Sequence, residues 1–366
     1  MKIVVSGNYG ADNLGDEMIL EGVLSMLTEI TPDAEITVFS ADPEKTAARY
    51  NVNSCRKVPA GFRSILTKLS NFYSQTRKEI KSCDYFILGG GGLFTHLTFK
   101  ANLIWGVQAL AAQIYRKPVI MYGQSIGMIK NKLLQKLIKK IFNKSIFIAL
   151  RDENSVQRLK DLGITQQIHL VPDMAFRKLV KKHRKEKNEV LIALREIRTL
   201  SPHFKSEFAE FLNWIIKKRS YHIRFIDFKR GNDRKLHNEI YDLLDNRAKV
   251  EFVGHPKYPL INFYEAKYVI GMRLHSIISA IKTATPFLAI NYAPKVEGLL
   301  TTIKLKKYLS NIAGLEAEEL IKNFEYLEKN RAKIVKNLKS YNEKSLKVHH
   351  SVESKLKRLL NSSIEN

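Results

Sequence analysis

The 366-residue sequence predicts an α/β fold of two Rossmann-like domains followed by C-terminal helices. Three observations lead to this prediction. Short β-branched or aromatic runs alternate with longer amphipathic runs, which is typical of βα units around parallel sheets. The alternation stops in a basic stretch at 177–188 and then restarts. The length suits two domains of roughly 100–200 residues each. Two such domains facing a cleft form the GT-B-like architecture, in which ligands bind at the carboxyl ends of strands.

The first half of the sequence predicts strands and helices that succeed one another. The predicted strands span 2–6, 35–40, 84–92, 118–123, 145–151 and 168–173, and the third of these ends in four glycines. The runs between them predict helices, because apolar residues recur there at helical spacing, as in 17–30. We therefore predict an N-terminal domain over residues 1–176.

Residues 177–188 are basic and poor in apolar side chains, which predicts a linker between the domains. After the linker, strands are predicted at 188–195, 221–228, 250–254, 268–271 and 286–290. Helices are predicted between them, at 204–219, 234–244 and 259–266 and from Ser276 onward. We predict a C-terminal domain over 189–315 and a separate group of charged helices over 316–366.

The composition excludes several classes of protein and of site. Hydrophobic residues make up 45% of the chain, too many for a disordered protein. The two cysteines, Cys55 and Cys83, are too few for a disulfide framework or a Cys-rich metal site and favour a reducing compartment. No apolar run reaches the roughly 18 residues of a membrane helix, and the first residues lack a signal-peptide pattern. We expect a cytoplasmic protein that needs no metal and no bound cofactor.

The chain is strongly basic, with 61 Lys and Arg against 36 Asp and Glu and a formal net charge of +25. Nucleic acid, an anionic membrane face and an acidic substrate are the partners that such a charge suggests. No nucleic-acid-binding motif accompanies the lysine clusters, which argues against specific nucleic-acid binding. The cluster at 130–144 lies on a predicted amphipathic helix, so its lysines form either a solvated face over a core-packing stripe or a contact with an anionic membrane.

Glycine-rich and polar loops follow the predicted strands of the first half. The first is GNYGADNLGDE at 7–17, which contains Asn13 and Asp16 and could hold a helix N-terminus open for an anion or a sugar hydroxyl. Further strand ends carry Gly90, Gly91 and Gly92, then Gln124, then Arg151. The structural alternative for each is a capped or tightly packed turn.

Cations follow the predicted strands of the second half. Arg195 ends one strand, and in GMRLHS the residues Arg273 and His275 stand in the turn before a helix. An Arg offers bidentate recognition of phosphate or carboxylate, and a His is an acid–base group near neutral pH. In NYAPK, Tyr292 and Lys295 occupy the next strand exit. Together these side chains predict a pocket for a small anion.

In this order, the motifs resemble those of the polysaccharide pyruvyl transferase family over roughly residues 1–300. They read GNYGADNLGDE, GGGGLF, GQSIGM, RDENS, VPD, GMRLHS and YAPK, with Arg195 at its strand end between VPD and GMRLHS. The resemblance implies transfer of the enolpyruvyl-derived unit of phosphoenolpyruvate onto a sugar of a cell-wall or exopolysaccharide unit. The product is a pyruvate ketal and phosphate is released, with phosphoenolpyruvate as co-substrate. Met128 follows GQSIG where relatives often have Pro, which leaves the shape of that loop open.

The resemblance also implies roles for individual residues. The donor, phosphoenolpyruvate, would contact Arg195, Arg273, Leu274 and His275 with help from Lys295, and His275 and Arg273 would be catalytic. The acceptor sugar would face Asn13, Asp16, Gly90, Gly91, Gly92, Gln124 and Arg151. The residue chemistry agrees for the donor, because a phosphate and a carboxylate together require several cations and a helix N-terminus.

Two other functions compete with this interpretation. A nucleotide-sugar glycosyltransferase of GT-B type would use the same basic site for a diphosphate. A basic nucleic-acid-binding protein would use the +25 charge instead. If the first interpretation holds, a lipid-linked acceptor would suit a protein that lies peripherally on the inner face of the membrane.

Overall fold

Two parallel sheets organise the chain, one in each of two compact units. The computed structural model describes residues 1–58, 74–94, 99–177, 185–197 and 200–362. Unit 1 comprises Met1–Asp12, Asp16–Lys178 and Ser345–Asn366, and unit 2 comprises Asn13–Gly15 and Leu179–Lys344. The predicted α/β fold with two Rossmann-like halves is confirmed.

The sheet of unit 1 has the strand order β3-β2-β1-β4-β6-β7-β8, with β5 beside β6. The strands are β1 (Lys2–Ser6), β2 (Glu35–Ser40), β3 (Asn53–Arg56), β4 (Tyr85–Leu88), β5 (Gly91–Phe94), β6 (Val119–Ile126), β7 (Phe147–Leu150) and β8 (Ile168–Leu170). The helices are α1 (Leu14–Ile30), α2 (Pro43–Tyr50), α3 (Ser74–Ser82), α4 (Phe99–Ile114), α5 (Lys132–Asn143) and α6 (Glu153–Asp161). Every residue of β4 and β7 is buried, as expected where helices cover both faces of a parallel sheet.

The sheet of unit 2 has the strand order β11-β10-β9-β12-β13-β14. Its strands are β9 (Glu189–Ala193), β10 (His222–Ile226), β11 (Val250–Gly254), β12 (Tyr268–Gly271), β13 (Phe287–Asn291) and β14 (Leu309–Asn311). Its helices are α7 (Pro202–Arg219), α8 (Asp233–Tyr241), α9 (Leu260–Glu265), α10 (Leu274–Lys282), α11 (Pro294–Thr302) and α12 (Ala317–Lys329). The last helix, α13 (Arg331–Ser362), begins in unit 2 and ends in unit 1.

In each sheet the chain starts at a central strand, winds outward in one direction and then returns to wind in the other. The reversal falls between β1 and β4 in unit 1 and between β9 and β12 in unit 2. Loops at the carboxyl ends of two such strands diverge and leave a crevice, which is where open α/β sheets bind ligands. The loops after these four strands are therefore the places to look for a site.

The structure differs from the sequence prediction around the four glycines. The strand predicted at 84–92 ends at Leu88, and Gly91 begins the separate short strand β5, which pairs with β6 through Gln124 and Ile126. Strand β6 itself runs to Ile126, beyond the predicted end at 123. Half of the glycine run thus belongs to the sheet, because β6 continues far enough to offer a pairing edge.

The units also divide the chain differently from the predicted boundaries at 176 and 316. Residues from Ser345 onward belong to unit 1, where Val352, Leu356 and Leu360 join the buried cluster that lines one face of the first sheet. A buried ion pair between Arg177 and Glu353 fixes this segment (Nε to Oε1, 2.6 Å). In the predicted linker, residues 178–184 lie outside the described residues.

Helix α5 packs its apolar stripe into the core, as the sequence analysis expected. Its apolar stripe, with Leu134, Ile138, Ile141 and Phe142, is buried in the core of unit 1. Its lysines are on the opposite, exposed face. The core-packing interpretation of the stripe is therefore confirmed. Throughout the described ranges, no helix has both the length and the apolar character that crossing a bilayer requires.

We expect Leu356→Ala to destabilise the protein by about 2–5 kcal/mol, because Leu356 is fully buried in unit 1 and its removal leaves a cavity. Val348→Ala on the same helix is the control, since Val348 is 41% exposed. Urea unfolding followed by circular dichroism measures both. Equal midpoints for the two variants would contradict the assignment of the C-terminal segment to the core of unit 1.

Candidate functional site

Three neighbouring strands of unit 2 end in polar side chains at one edge of the sheet. Arg195 follows β9, Arg273 and His275 follow β12, and Tyr292 and Lys295 follow β13. These strands are adjacent in the order β9-β12-β13, and the reversal of the sheet lies between the first two. The structure thus brings together the donor-side residues predicted from the sequence.

Arg195 and Lys295 flank the phenol of Tyr292. The Arg195 Nη1 donates to the Tyr292 hydroxyl oxygen at 2.9 Å, and its guanidinium carbon lies 5.1 Å from the ring centroid. The Lys295 Nζ lies 5.5 Å from the same centroid. Burial raises the pKa of Tyr292, but the two nearby cations outweigh burial and leave the pKa below its ordinary value. The pair of cations defines a positive region over a neutral phenol.

Arg273 has a partner that the sequence did not reveal. Its Nε donates to Asp233 Oδ2 at 2.8 Å and its Nη2 to Oδ1, so the contact is bidentate. Asp233 is fully buried, and its Oδ2 also accepts from the backbone N–H groups of Phe228 and Lys229, each at 2.9 Å. The guanidinium charge of Arg273 is therefore largely balanced within the protein by the Asp233 carboxylate.

His275 lies in the first turn of α10, against the N-terminal segment of the chain. Gly15 belongs to unit 2, and a methyl group in place of its hydrogen would overlap the His275 ring. The N–H of Leu14 donates to the carbonyl of Phe228 at 2.9 Å, which holds the segment in place. The ring of His275 therefore packs where only a glycine fits.

Asn13 and Leu274 have structural roles of their own. The Asn13 Oδ1 accepts from the Gly15 N–H at 3.1 Å, and Asn13 forms an antiparallel bridge with Lys229. Asn13 thus belongs to unit 2, beside His275, and not to the acceptor side where the sequence prediction placed it. The Leu274 side chain is 7% exposed, so a ligand would reach this residue through its backbone N–H in the first turn of α10.

In unit 1, Asp16 and Gly91 meet at the carboxyl edge of the first sheet. The Asp16 Oδ2 accepts from Asn8 Nδ2 at 2.8 Å, and Oδ1 lies 3.8 Å from where a side chain of Gly91 would begin. Lys57 is close by, with its Nζ 5.2 Å from the Trp105 ring centroid. Burial lowers the pKa of Lys57 while the Asp16 and Glu17 carboxylates oppose that shift. The edge therefore combines hydrogen-bond donors and acceptors, while the Trp105 ring beside Lys57 is buried in the core of unit 1.

Protein atoms account for most of the close approaches at the glycines of unit 1. Gly7 and Gly89 both face the fully buried ring of Tyr9, where any side chain would overlap it. Gly90 faces the carbonyl oxygen of Gly123, 2.8 Å from where its side chain would begin. Gly91 has a φ of +107°, which favours glycine whatever its surroundings. Of the three glycines predicted to face a sugar, Gly90 is thus occupied by packing, and Gly92 is exposed.

Gln124 and Arg151 support the loops of unit 1 from inside. Gln124 is fully buried and donates from Nε2 to the Leu88 carbonyl at 2.8 Å. The Arg151 guanidinium pairs with Asp173 and donates to Ser125 Oγ, and its side chain is 8% exposed. Both side chains, which the sequence analysis predicted to face the acceptor, are thus buried and bonded within unit 1.

Sequence reasoning missed Asp233, Asn8 and Lys57. Asp233 follows the exit of β10 in GNDRK, where a short polar loop before a helix was the available signal. Asn8 lies in the first glycine-rich motif, GNYGADNLGDE, of which the sequence analysis singled out only Asn13 and Asp16. Lys57 follows β3, a strand that the sequence analysis did not predict.

One group of side chains in the described part of the chain has the composition of a cation site. His203, Glu207 and Glu316 place three potential ligand atoms within 4.8 Å of one another. The His203 Nε2 lies 3.2 Å from Glu316 Oε1, and both side chains are more than half exposed. A histidine–carboxylate pair at the surface explains this arrangement without a metal.

Comparison with known proteins identifies the family. A sequence model of the family described as Polysaccharide pyruvyl transferase matches residues 13–294, more than three quarters of the chain. The chain belongs to the polysaccharide pyruvyl transferase family. The match includes Arg195, Arg273, His275 and Tyr292 and ends one residue before Lys295.

The chain is similar to the amylovoran biosynthesis protein AmsJ of Erwinia amylovora. The two are 24% identical over 404 aligned residues, which cover 92% of this chain and 95% of AmsJ. The AmsJ name connects that relative with the biosynthesis of amylovoran.

Solved structures share the fold of this family member. A crystal structure of Anabaena Alr3699/HepE in complex with UDP-glucose has a TM-score of 0.63 at 15% identity, covering 99% of this chain and 100% of that one. A putative UDP-N-acetylglucosamine 2-epimerase from Listeria monocytogenes has a TM-score of 0.68 at 12% identity, covering 100% and 96%. A glycosyltransferase from Rickettsia africae has a TM-score of 0.64 at 12% identity, covering 100% and 99%. At these identities the likeness shows that the chain has a GT-B-like fold, and it carries no information about activity.

We expect Asp233→Asn to destabilise this pyruvyl transferase family member by about 3–5 kcal/mol, because the substitution leaves the half-buried Arg273 charge without its carboxylate. Asp242→Asn, an exposed position just after the same helix, is the control. Guanidinium unfolding measured by fluorescence tests both. If Asp233→Asn unfolds at the same denaturant concentration as the unsubstituted protein, the proposed energetic importance of the pair is wrong.

Proposed function

We propose that this protein transfers the enolpyruvyl-derived unit of phosphoenolpyruvate onto a sugar of a polysaccharide unit, forming a pyruvate ketal and releasing phosphate. The observation that supports this most is the group of side chains at the carboxyl edge of the second sheet. Arg195 and Lys295 supply charge around Tyr292, and His275 stands in the first turn of α10. Phosphoenolpyruvate carries a phosphate and a carboxylate, and this set of groups matches both.

The reaction requires from the site a proton donor and a group that stabilises negative charge. One sugar hydroxyl oxygen bonds to C2 of phosphoenolpyruvate while a proton is added to the C3 methylene, which becomes a methyl group. A second hydroxyl of the same sugar then bonds to C2 as the C2–O bond to phosphate breaks. Of the two hydroxyl protons, one balances the proton gained at C3 and the other leaves with phosphate.

We assign His275 as the acid that protonates C3. Its packing against Gly15 fixes the ring, and fixed placement is what general acid catalysis requires; a positioned acid typically contributes about 10²–10⁴-fold. Arg195 and Lys295 stabilise the departing phosphate or hold the carboxylate. Arg273, balanced by Asp233, orients the start of α10 and adds N–H donors to the same edge.

For the acceptor, we propose the carboxyl edge of the first sheet. Asp16 with Asn8, the exposed Gly92 and Lys57 offer hydrogen bonds to a sugar. Gln124 and Arg151 act there through the loops that they support. The acceptor belongs to the precursors of a surface polysaccharide, and a lipid-linked sugar is one form of it.

The decisive test is mass spectrometry of sugar products after incubation with phosphoenolpyruvate and synthetic or lipid-linked acceptors. We expect a product heavier than the acceptor by pyruvate minus water, with release of phosphate. His275→Ala and Gly15→Ala should each reduce turnover by about 10²-fold or more, the first by removing the acid and the second by displacing it.

Gly298→Ala is the matched control for Gly15→Ala, because no atom lies within 4 Å of where its side chain would begin. Near-normal turnover of His275→Ala would refute the assignment of the acid. Stabilisation of the protein by a nucleotide sugar, with none by phosphoenolpyruvate, would replace this function with that of a glycosyltransferase.

We also propose that the protein associates peripherally with an anionic membrane surface through α5. Its exposed lysines include Lys136 and Lys140, and Leu133, at 69% exposure, and Met128, at 60%, supply exposed apolar side chains next to them. Cations near an anionic surface contribute about 1 kcal/mol each. This location would bring the enzyme to a lipid-linked acceptor.

Vesicle sedimentation tests this location with phosphatidylglycerol-containing and purely zwitterionic vesicles. Binding should require the anionic lipid, and Lys136→Glu with Lys140→Glu should weaken it about 10-fold or more. Lys217→Glu with Lys218→Glu, an equal change of charge at exposed positions of α7, is the control. Equal binding to both kinds of vesicle would reject the proposal, as would equal weakening by the two double variants.

A further inference from the structure

We propose that Tyr292 is a positioning residue of the donor site, which holds the Arg195 guanidinium across the end of β12 so that it faces the bound anion. The inference rests on the proposed function, since it takes phosphoenolpyruvate as the ligand. It gives a specific role to Tyr292, which the sequence analysis placed in the anion pocket without one.

The strand order makes the contact between Arg195 and Tyr292 informative. Arg195 follows β9 and Tyr292 follows β13, and β12 lies between these strands. Neighbouring strands are about 4.8 Å apart, so the two strands are on the order of 10 Å apart. Because Nη1 is nevertheless 2.9 Å from the phenol oxygen, the Arg195 and Tyr292 side chains together bridge the end of β12. That is where Arg273 and the first turn of α10 follow.

The contact restricts where the guanidinium lies. The hydrogen bond to the phenol oxygen holds one edge, and the ring lies 5.1 Å below the guanidinium carbon. An arginine carries five N–H donors in one plane, so one bond to Tyr292 orients the others as a fork. A fork of this kind is what a carboxylate or phosphate binds in bidentate fashion.

A phenol suits this task better than a carboxylate would. Asp233 holds Arg273 by an ion pair and thereby balances its charge. Tyr292 holds Arg195 through a neutral acceptor and a ring face. The Lys295 Nζ also lies near this ring, 5.5 Å from its centroid. Both cations thus keep their charge for a ligand while the phenol reduces the cost of bringing them together.

The same arrangement predicts an alkaline limit for donor binding. The two cations keep the pKa of Tyr292 below its ordinary value of 10.0 although burial opposes them. When the pH rises through this lowered pKa, the phenol loses its proton and becomes an anion between Arg195 and Lys295. The phenolate would then compete with phosphoenolpyruvate for both cations, so binding should weaken as the pH rises.

The experiment compares Tyr292→Phe with Tyr326→Phe in the full chain. Tyr326 is the matched control, because its hydroxyl accepts from Lys307 Nζ at 2.9 Å but it lies on α12, away from the strand ends of the site. Phosphoenolpyruvate binding by calorimetry, and KM and kcat where turnover is measured, are followed from pH 7 to pH 10. We expect Tyr292→Phe to raise Kd and KM about 10-fold, with a smaller change in kcat. The alkaline loss of affinity should disappear in Tyr292→Phe and persist in Tyr326→Phe.

A double-variant cycle separates positioning from a merely structural effect. If Tyr292 acts through Arg195, adding Tyr292→Phe to Arg195→Ala should leave Kd unchanged relative to Arg195→Ala alone. Independent, additive losses would overturn the proposal. So would a Tyr292→Phe protein whose affinity and alkaline limb match those of the unsubstituted protein. Failure of the unsubstituted protein to bind phosphoenolpyruvate would instead contradict the proposed function.

Discussion

The edge of the second sheet depends on one buried carboxylate, that of Asp233. It accepts the backbone N–H groups of Phe228 and Lys229 and forms a bidentate pair with Arg273. A buried carboxylate is tolerated only when its oxygens are bonded and its charge is balanced. The exits of β10 and β12 and the start of α8 must therefore keep one common arrangement. The carbonyl of Phe228 in turn receives the N–H of Leu14, so the segment beside His275 depends on the same carboxylate.

Glycines serve as sites of close packing more than as open loops. Gly15 makes room for the His275 ring, and Gly7 and Gly89 make room for the buried ring of Tyr9. Each of these glycines loses more backbone entropy on folding than another residue would. The packing of a ring against it can offset that cost. Of the two rings that these glycines admit, only that of His275 has acid–base chemistry near neutral pH.

The sequence predicted the fold well because βα alternation is a local pattern. Parallel βα units restrict the strand order strongly, and strand exits on one edge follow from it. The same reasoning placed Arg195, Arg273 and His275 at one edge, as the structure has them. It could not assign the end of the chain, because the amphipathic face of α13 would cover either sheet and only its contacts with unit 1 decide.

That reasoning could not predict contacts between residues that are distant in sequence. Asp233 precedes Arg273 by 40 residues, and no periodicity connects them. Without its partner, Arg273 was indistinguishable from Arg195 as a cation for a ligand. The glycine run likewise indicated a close approach but not what approached, since Tyr9 and Gly123 are contacts of the folded chain. Local patterns therefore predict where side chains emerge, whereas their charge state in the fold depends on non-local pairs.

Because pairing in the fold decides which cations remain unbalanced, the net charge of +25 does not by itself tell how much charge a ligand meets. An arginine whose charge is balanced by a buried carboxylate contributes direction and hydrogen-bond donors, while an arginine held by a phenol keeps its charge. The site accordingly divides between Arg273, paired with Asp233, and Arg195 and Lys295, gathered around Tyr292. Two charged groups and one neutral acceptor suit a small dianionic or trianionic donor, whose binding leaves little uncompensated charge. The exposed lysines of α5 lie in unit 1 and take no part in this division.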